Sequence, residues 1–288
     1  MFHSVVSRLP LTRIKLFLAR IAYLFIRIFL RSNHIKSKRD GITYKLDLSE
    51  GIDLSIFIMG TYQRHIFDNP FYSIPEDAII FDIGANMGCM TLQFAKAATA
   101  GHVFAFEPTD FAYRKLLNNV DLNLELKPRI TPVKQFASDK SMIAPRPFAM
   151  ASWKTDSFTS KGHPVHGGVE RNTGLAPSIT IDEFCESNEI IRVDLIKIDT
   201  EGHELPALKG AVNILKKQQP VIIFETGRYL MDEQGVHFIE YLVLLETLGY
   251  RLYILQRDME VTRDNHEKII PRLSTVDIIA LPSTVDTP

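Results

Sequence analysis

Ile79-Ile80-Phe81-Asp82-Ile83-Gly84-Ala85-Asn86-Met87-Gly88 is an apolar run that stops at an acid and breaks into a turn punctuated by two glycines. An Ile-rich run that ends at Gly reads as a buried strand, and the Leu92, Ala95 and Ala98 spacing behind it reads as a helix over residues 89–99. The glycines permit a tight turn and a close backbone approach, while the free N–H groups of the new helix face whatever lies there. The stretch is a ligand cradle, with Gly84, Asn86 and Gly88 in the turn and Asp82 at the strand tip.

Missing residues narrow the ligand. A dinucleotide fold wants G-x-G-x-x-G, whereas here Asn86 and Cys89 stand where the second and third glycines belong. Residues 102–106 read as the next strand and end in Glu107-Pro108, an acid suited to ribose hydroxyls. An acid at the first turn suits a cationic sulfonium with an amino-acid end better than a pyrophosphate. S-adenosylmethionine meets both conditions.

Three blocks then occur in order: Asp82-Ile83-Gly84-Ala85-Asn86-Met87-Gly88, Phe106-Glu107-Pro108, and Asp194-Leu195-Ile196-Lys197-Ile198-Asp199-Thr200-Glu201-Gly202-His203-Glu204. In these the chain resembles the FkbM-type S-adenosylmethionine-dependent methyltransferases over roughly residues 40–282. The first block is shared by many methyltransferases; the last is specific to the family. The resemblance implies a seven-stranded, Rossmann-like class I methyltransferase sheet with helices on both faces. It also implies O-methylation, often of sugar or natural-product hydroxyls.

The chain has 288 residues, 45% of them hydrophobic, and a net charge of −1. That is enough for a full core, divided here into a basic N-terminal segment, residues 1–39, and a catalytic domain, residues 40–288. Cys89 and Cys185 show no disulfide or zinc spacing, so no metal ligands are assigned and a reducing, cytoplasmic location is expected. The near-neutral charge argues against a nucleic-acid partner.

Charge is nonetheless uneven. Residues 1–39 contain no acid, but Arg8, Arg13, Lys15, Arg20, Arg27, Arg31, Lys36, Lys38 and Arg39 are basic. Residues 14–30 are mostly apolar, yet each central Arg costs a spanning helix about 2.5–3.5 kcal/mol, so spanning is not expected. On a helix Arg13, Arg20, Arg27 and Arg31 form a narrow stripe, with Leu16, Phe17, Tyr23, Leu24 and Leu30 in the apolar remainder. An N-terminal amphipathic helix over residues 13–31, in peripheral contact with an anionic membrane, is one reading. Docking of the same face on the catalytic domain is another, and a cleaved organelle-targeting segment a third.

Further elements follow from periodicity. Residues 42–48 alternate as a half-exposed strand. The resemblance implies that the aromatic and charged residues 61–71 cover the pocket, an ordinary pre-domain hairpin and helix being the other reading. Ala112, Leu116 and Val120 mark a helix capped by Thr109 or Asp110, and residues 130–136 a third strand. Behind that strand Ser138 and Asp139 are candidate adenine contacts. Residues 140–178 read as a substrate-facing insertion, in which His163 and His166 lack nearby carboxylates and read as solvated. A T-x-D-x-F element, Thr180 to Phe184, precedes a fourth strand at 193–198. Residues 221–224, a helix at 236–248 ended by Gly249, and strands at 250–255 and 276–281 complete the sheet.

Ligands bind beyond the carboxyl ends of such strands, which puts Asp199, Glu201 and His203 at the mouth of the site. Clustered acids raise one another's pKa, so Asp199 or Glu201 is the expected general base, with His203 as an alternative. A metal held by these acids and Glu225 is the competing arrangement, and Glu204 reads as a helix cap. The competing functional class is a membrane-attached scaffold that binds S-adenosylmethionine without catalysis. A dehydrogenase ranks last, lacking the glycines and any Tyr-x-x-x-Lys dyad. The acceptor is expected to be a small molecule bearing a hydroxyl.

Overall fold

The computed structural model describes residues 21–26, 28–30, 32–143, 148–153 and 168–284. Its strands are β1 (His34–Arg39), β2 (Ile42–Asp47), β3 (Ile79–Ile83), β4 (His102–Phe106), β5 (Ile130–Val133), β6 (Phe136–Ala137) and β7 (Phe148–Trp153), then β8 (Gly168–Asn172), β9 (Ser178–Ile179), β10 (Leu195–Ile198), β11 (Val221–Thr226), β12 (Tyr250–Ile254), β13 (Met259–Val261) and β14 (Val276–Pro282). The main sheet runs β13-β12-β14-β11-β10-β3-β4-β5. From β5 to β11 the neighbours are parallel, and β14 inserts antiparallel between β11 and β12.

Seven of these strands match the expected sheet. The eighth, β13, is a short return that pairs antiparallel with β12 through Leu252 and Val261. After β3 the chain winds outward through β4 and β5, then crosses back to start β10 on the other side of β3. That reversal opens a crevice at the carboxyl ends of β3 and β10, where open α/β sheets bind ligands.

Alternation along β3 sends Ile80 into one core and Phe81 and Ile83 into the other. Phe81 packs on Phe104, Phe106 and Phe184, and the helix Ile181–Ser187 that carries Phe184 starts at Thr180, whose hydroxyl accepts from Glu183 N at 3.0 Å. Each such buried Phe is worth about 1.5–3 kcal/mol relative to exposure.

β1 and β2 form an antiparallel hairpin outside the main sheet, with Ile42, Tyr44 and Leu46 buried. The expected boundary between residues 39 and 40 falls at its tip, so β1 belongs structurally with the domain. Asn123 accepts from Thr43 N and donates to Thr43 O, both at 2.8 Å. Asn119, on the helix Asp110–Asp121, accepts from Lys45 N at 2.8 Å and donates to Met87 O at 2.9 Å. Two carboxamides thus do for β2 what a neighbouring strand would do.

Ahead of the hairpin, residues 21–26 and 28–29 are helical. Tyr23 is buried and its hydroxyl donates to Asn33 Oδ1 at 3.0 Å, while Ile26 and Leu30 pack against the same core. The rest of the expected amphipathic helix, including Arg13, Arg20, Arg27 and Arg31, lies outside the described residues, as do His163 and His166. No helix among the described residues is long and apolar enough to cross a membrane.

Candidate active site

Gly84 opens the turn with φ +84°, and a Cβ there would stand 1.9 Å from the Asp199 carbonyl oxygen. Only a residue without a side chain lets the tips of β3 and β10 meet this closely. Asn86 is left-handed as well, at φ 49°, and its N–H donates to Glu107 Oε2 at 2.9 Å. The other Glu107 oxygen accepts from Thr109 N at 2.9 Å and from the Thr109 hydroxyl at 2.5 Å. Thr109 does precede the helix Asp110–Asp121, but its hydroxyl serves Glu107 instead of the helix end. Burial pushes the Glu107 carboxyl upward, opposed by these bonds.

A cavity of about 300 Å³ opens between this turn and the tips of β10 and β11. Gly84 to Met87 and Glu107 line one side; Asp199, Glu201, His203 and Glu225 line the other, with Gln135 to Ala137 at one edge and Glu170 of β8 at another. The expected residues Gly84, Asn86, Glu107, Asp199, Glu201 and His203 therefore converge on one space. The insertion does reach it, through Glu170.

Four expected cofactor contacts stand elsewhere. Asp82 lies beneath the cavity wall, fully buried, taking a 2.6 Å bond from the Thr91 hydroxyl. Gly88 is turned away, and a Cβ there would come 2.5 Å from Leu116 Cδ1, so it is glycine for packing and for its φ of +85°. Ser138 and Asp139 lie outside the cavity lining: the chain pairs as β6 with β9 at Phe136 and Ala137, and the lining ends there. The Ser138 carbonyl instead packs on Gly210, and Asp139 is exposed. Gln135, Phe136 and Ala137 take their place at the cavity edge.

Beneath the acids lies a cation. Lys197 is the register partner of Asp82, with Nζ 3.8 Å from Asp82 Oδ1 and 3.1 Å from Asp199 Oδ2. Burial alone would depress its pKa, but Asp199 and Asp82 outweigh that and raise it, so the ammonium stays charged. Gln63 Nε2 also donates to Asp199 Oδ2, at 3.1 Å. Two residues on, His65 Nε2 lies 2.6 Å from Asp277 Oδ2, which also accepts from Gln256 at 2.7 Å. The segment before β3 is thus clasped to the sheet's rim at two points, and Tyr62, just ahead of the first, faces the cavity.

The turn after Asp199 is strained. Glu201 has φ 53° and Gly202 φ 105°, and Glu204 Oε1 holds them by accepting from Thr200 N, the Thr200 hydroxyl and Gly202 N at 3.0 to 3.1 Å. Glu204 therefore braces the turn from inside rather than only capping the helix Glu204–Lys209. Burial, then Asp199 and Glu204, push Glu201 up to about 8. Glu225 is raised by burial and by Asp199, Asp277 and Glu201, while the Thr275 hydroxyl donates to its Oε1 at 2.7 Å.

The family model for the methyltransferase FkbM domain matches residues 82–252, more than half of the chain and all of this site's motifs. The chain belongs to the FkbM methyltransferase family. Hexuronic acid methyltransferase AglP of Haloferax volcanii is 29% identical over 149 residues, 51% of this chain and 56% of that protein. The match thus spans little more than half of that relative's length. Methyltransferase 1 of Beauveria bassiana is 23% identical over 209 residues, 68% of this chain and 82% of that protein. Among solved structures, methyltransferase FkbM from Methylobacillus flagellatus KT aligns with a TM-score of 0.45 at 17% identity, covering 71% of this chain and 44% of that one.

Within the FkbM block the sequence reading gave Lys197 no role, although a lysine inside an apolar strand ending in Asp is a visible signal. Gln63 and Glu170 carry no such local mark, because their partners lie far along the chain.

Proposed function

We propose that this chain transfers a methyl group from S-adenosylmethionine to a hydroxyl of a sugar or other natural-product acceptor, with Glu201 as general base. The observation that carries the reading is one cavity with the Gly84 turn and Glu107 on one side and Asp199, Glu201 and Glu225 on the other. The residues fit the cofactor. Gly84 and Asn86 offer backbone without obstruction, Glu107 is a ribose-type acceptor, and the facing carboxylates suit a cationic sulfonium and ammonium.

When bound, S-adenosylmethionine supplies an electrophilic methyl group for an in-line displacement. The protein's own work is to align the acceptor, exclude water and take one proton. Asp199 is already engaged, since Lys197 and Gln63 both donate to its Oδ2, at 3.1 Å each. Glu201, with its pKa pushed up to about 8, binds a proton far better than an ordinary carboxylate. His203 stands at the same rim and can relay that proton outward. The sugar class draws on the Haloferax volcanii relative, whose name gives a hexuronic acid as its substrate.

The test is calorimetric titration of the protein with S-adenosylmethionine and separately with NAD, followed by labelled methyl transfer to a panel of hydroxylated sugars. Saturable binding of S-adenosylmethionine alone is expected, weakened about tenfold to hundredfold in Glu107→Ala, as for loss of a charged hydrogen-bond acceptor. Binding of NAD alone, or of neither by folded protein, overturns the reading.

A further inference from the structure

The helical residues 21–26 and 28–29 are apolar on two opposite sides. Tyr23, Ile26 and Leu30 face the domain, Tyr23 inside the core and the other two against it. At 100° per residue these three fall together, and Leu24, Phe25, Ile28 and Phe29 fall on the far side. That far side is open: Leu24 is 49% exposed, Phe25 62%, Ile28 74% and Phe29 83%. A helix that only docks on its own domain turns polar residues outward, whereas one apolar all round is covered on both sides. Four adjacent large apolar side chains in water mark an interaction surface.

Charge selects what covers it. We propose that this helix seats the protein on an anionic lipid surface, with Leu24, Phe25, Ile28 and Phe29 entering the acyl boundary and the basic N-terminal segment meeting the headgroups. All 34 acidic residues lie beyond residue 39, while Arg8 to Arg39 bring only positive charge to this end. An anionic bilayer therefore attracts this end and repels the acidic remainder, which fixes the orientation. A second copy of the chain is a poor occupant. Pairing the same face about a two-fold axis would set two acid-free basic segments side by side.

The geometry joins the two readings of the segment that the sequence left open. One face docks, which holds the helix rigid against the domain, and the other is presented outward. Tyr23 anchors it twice, by burial and by the 3.0 Å bond to Asn33. A pre-ordered helix loses less entropy on insertion than a peptide that must fold there.

The test is co-sedimentation of the full chain with vesicles of phosphatidylcholine alone or mixed with phosphatidylserine, alongside Phe25→Ser/Phe29→Ser and Tyr23→Phe. Binding is expected on the mixed vesicles, lowered by added salt. The double variant should bind at least about tenfold more weakly, since each Phe burial is worth more than a factor of ten. Tyr23→Phe should bind as well as the parent, and the thermal midpoint of the double variant should match it. Equal binding of the double variant, or none by the parent, overturns the proposal. A parent that is dimeric by sedimentation velocity, made monomeric by the double substitution and indifferent to vesicles, overturns it too.

Discussion

Lys197 stands directly across from Asp82 in the β10–β3 pairing and reaches past it to Asp199, so one ammonium lies between a carboxylate of the sheet interior and a carboxylate of the cavity wall. The sheet's own register thus sets the charge of the site. Lys197→Met would leave the buried Asp82 and the half-buried Asp199 without the cation between them. It is expected to cost about 3–5 kcal/mol, the usual penalty for breaking a buried pair, read by denaturant unfolding. Lys197→Met/Asp82→Leu should recover most of that stability, because no unpaired charge remains beneath the cavity.

Glu201 is expected to govern the pH profile. Its folded pKa of about 8 lies above its ordinary value, so kcat/KM should rise with pH through about 8 as the base form appears. Glu201→Gln should remove that limb and lower kcat by about 10²- to 10⁴-fold while sparing cofactor affinity. Stability runs the other way. A carboxyl whose pKa is raised on folding favours the folded state below its unfolded pKa and loses that advantage as pH climbs through the folded value. The thermal midpoint of Glu201→Gln should therefore exceed that of the parent at pH 8 and approach it in mild acid.

Gly84→Ala tests the contact between strand tips. A methyl group would meet the Asp199 carbonyl oxygen at 1.9 Å, and the residue would also have to keep φ +84°. The backbone term alone is about 1–3 kcal/mol. Both the thermal midpoint and cofactor affinity should fall, whereas Gly235→Ala, with the same kind of φ and nothing within 4 Å, should cost only the backbone term.

Glu204 separates bracing from charge. Glu204→Gln keeps an oxygen able to accept from Thr200 and Gly202, so turnover should stay within a few-fold of the parent. Glu204→Leu releases the turn and should reduce kcat more than it raises the KM for cofactor. Both variants remove a charge that helps raise Glu201, so a pH limb shifted further in Glu204→Leu than in Glu204→Gln would show that the turn also positions Glu201.

The sheet was legible because its signals are local: Ile79 to Ile83 and Leu195 to Ile198 are short apolar runs that stop at Gly or Asp, and each became a strand. Gly84, Asn86, Glu107, Asp199, Glu201 and His203 reach the cavity because each follows a strand tip, a position set by spacing. Ser138 and Asp139 stand outside the cavity lining, just past a two-residue pairing with Ser178 and Ile179, far along the chain. Asp82 lies one layer too deep. Whether a strand-end acid points to ligand or to core depends on its cross-strand neighbour, and Lys197 lies more than a hundred residues away.

Asn119 touches two places at once, the backbone of β2 through Lys45 and the backbone of the ligand turn through Met87. Peeling the hairpin away strips Asn119 of the donor that orients its carboxamide, and the bond to Met87 comes from that same carboxamide, so hairpin and turn are coupled through it. Amide protons at Thr43, Lys45 and the ligand turn should then exchange with solvent at a common rate. Whatever pulls on the amino-terminal end pulls, through a single carboxamide, on the floor of the catalytic cavity.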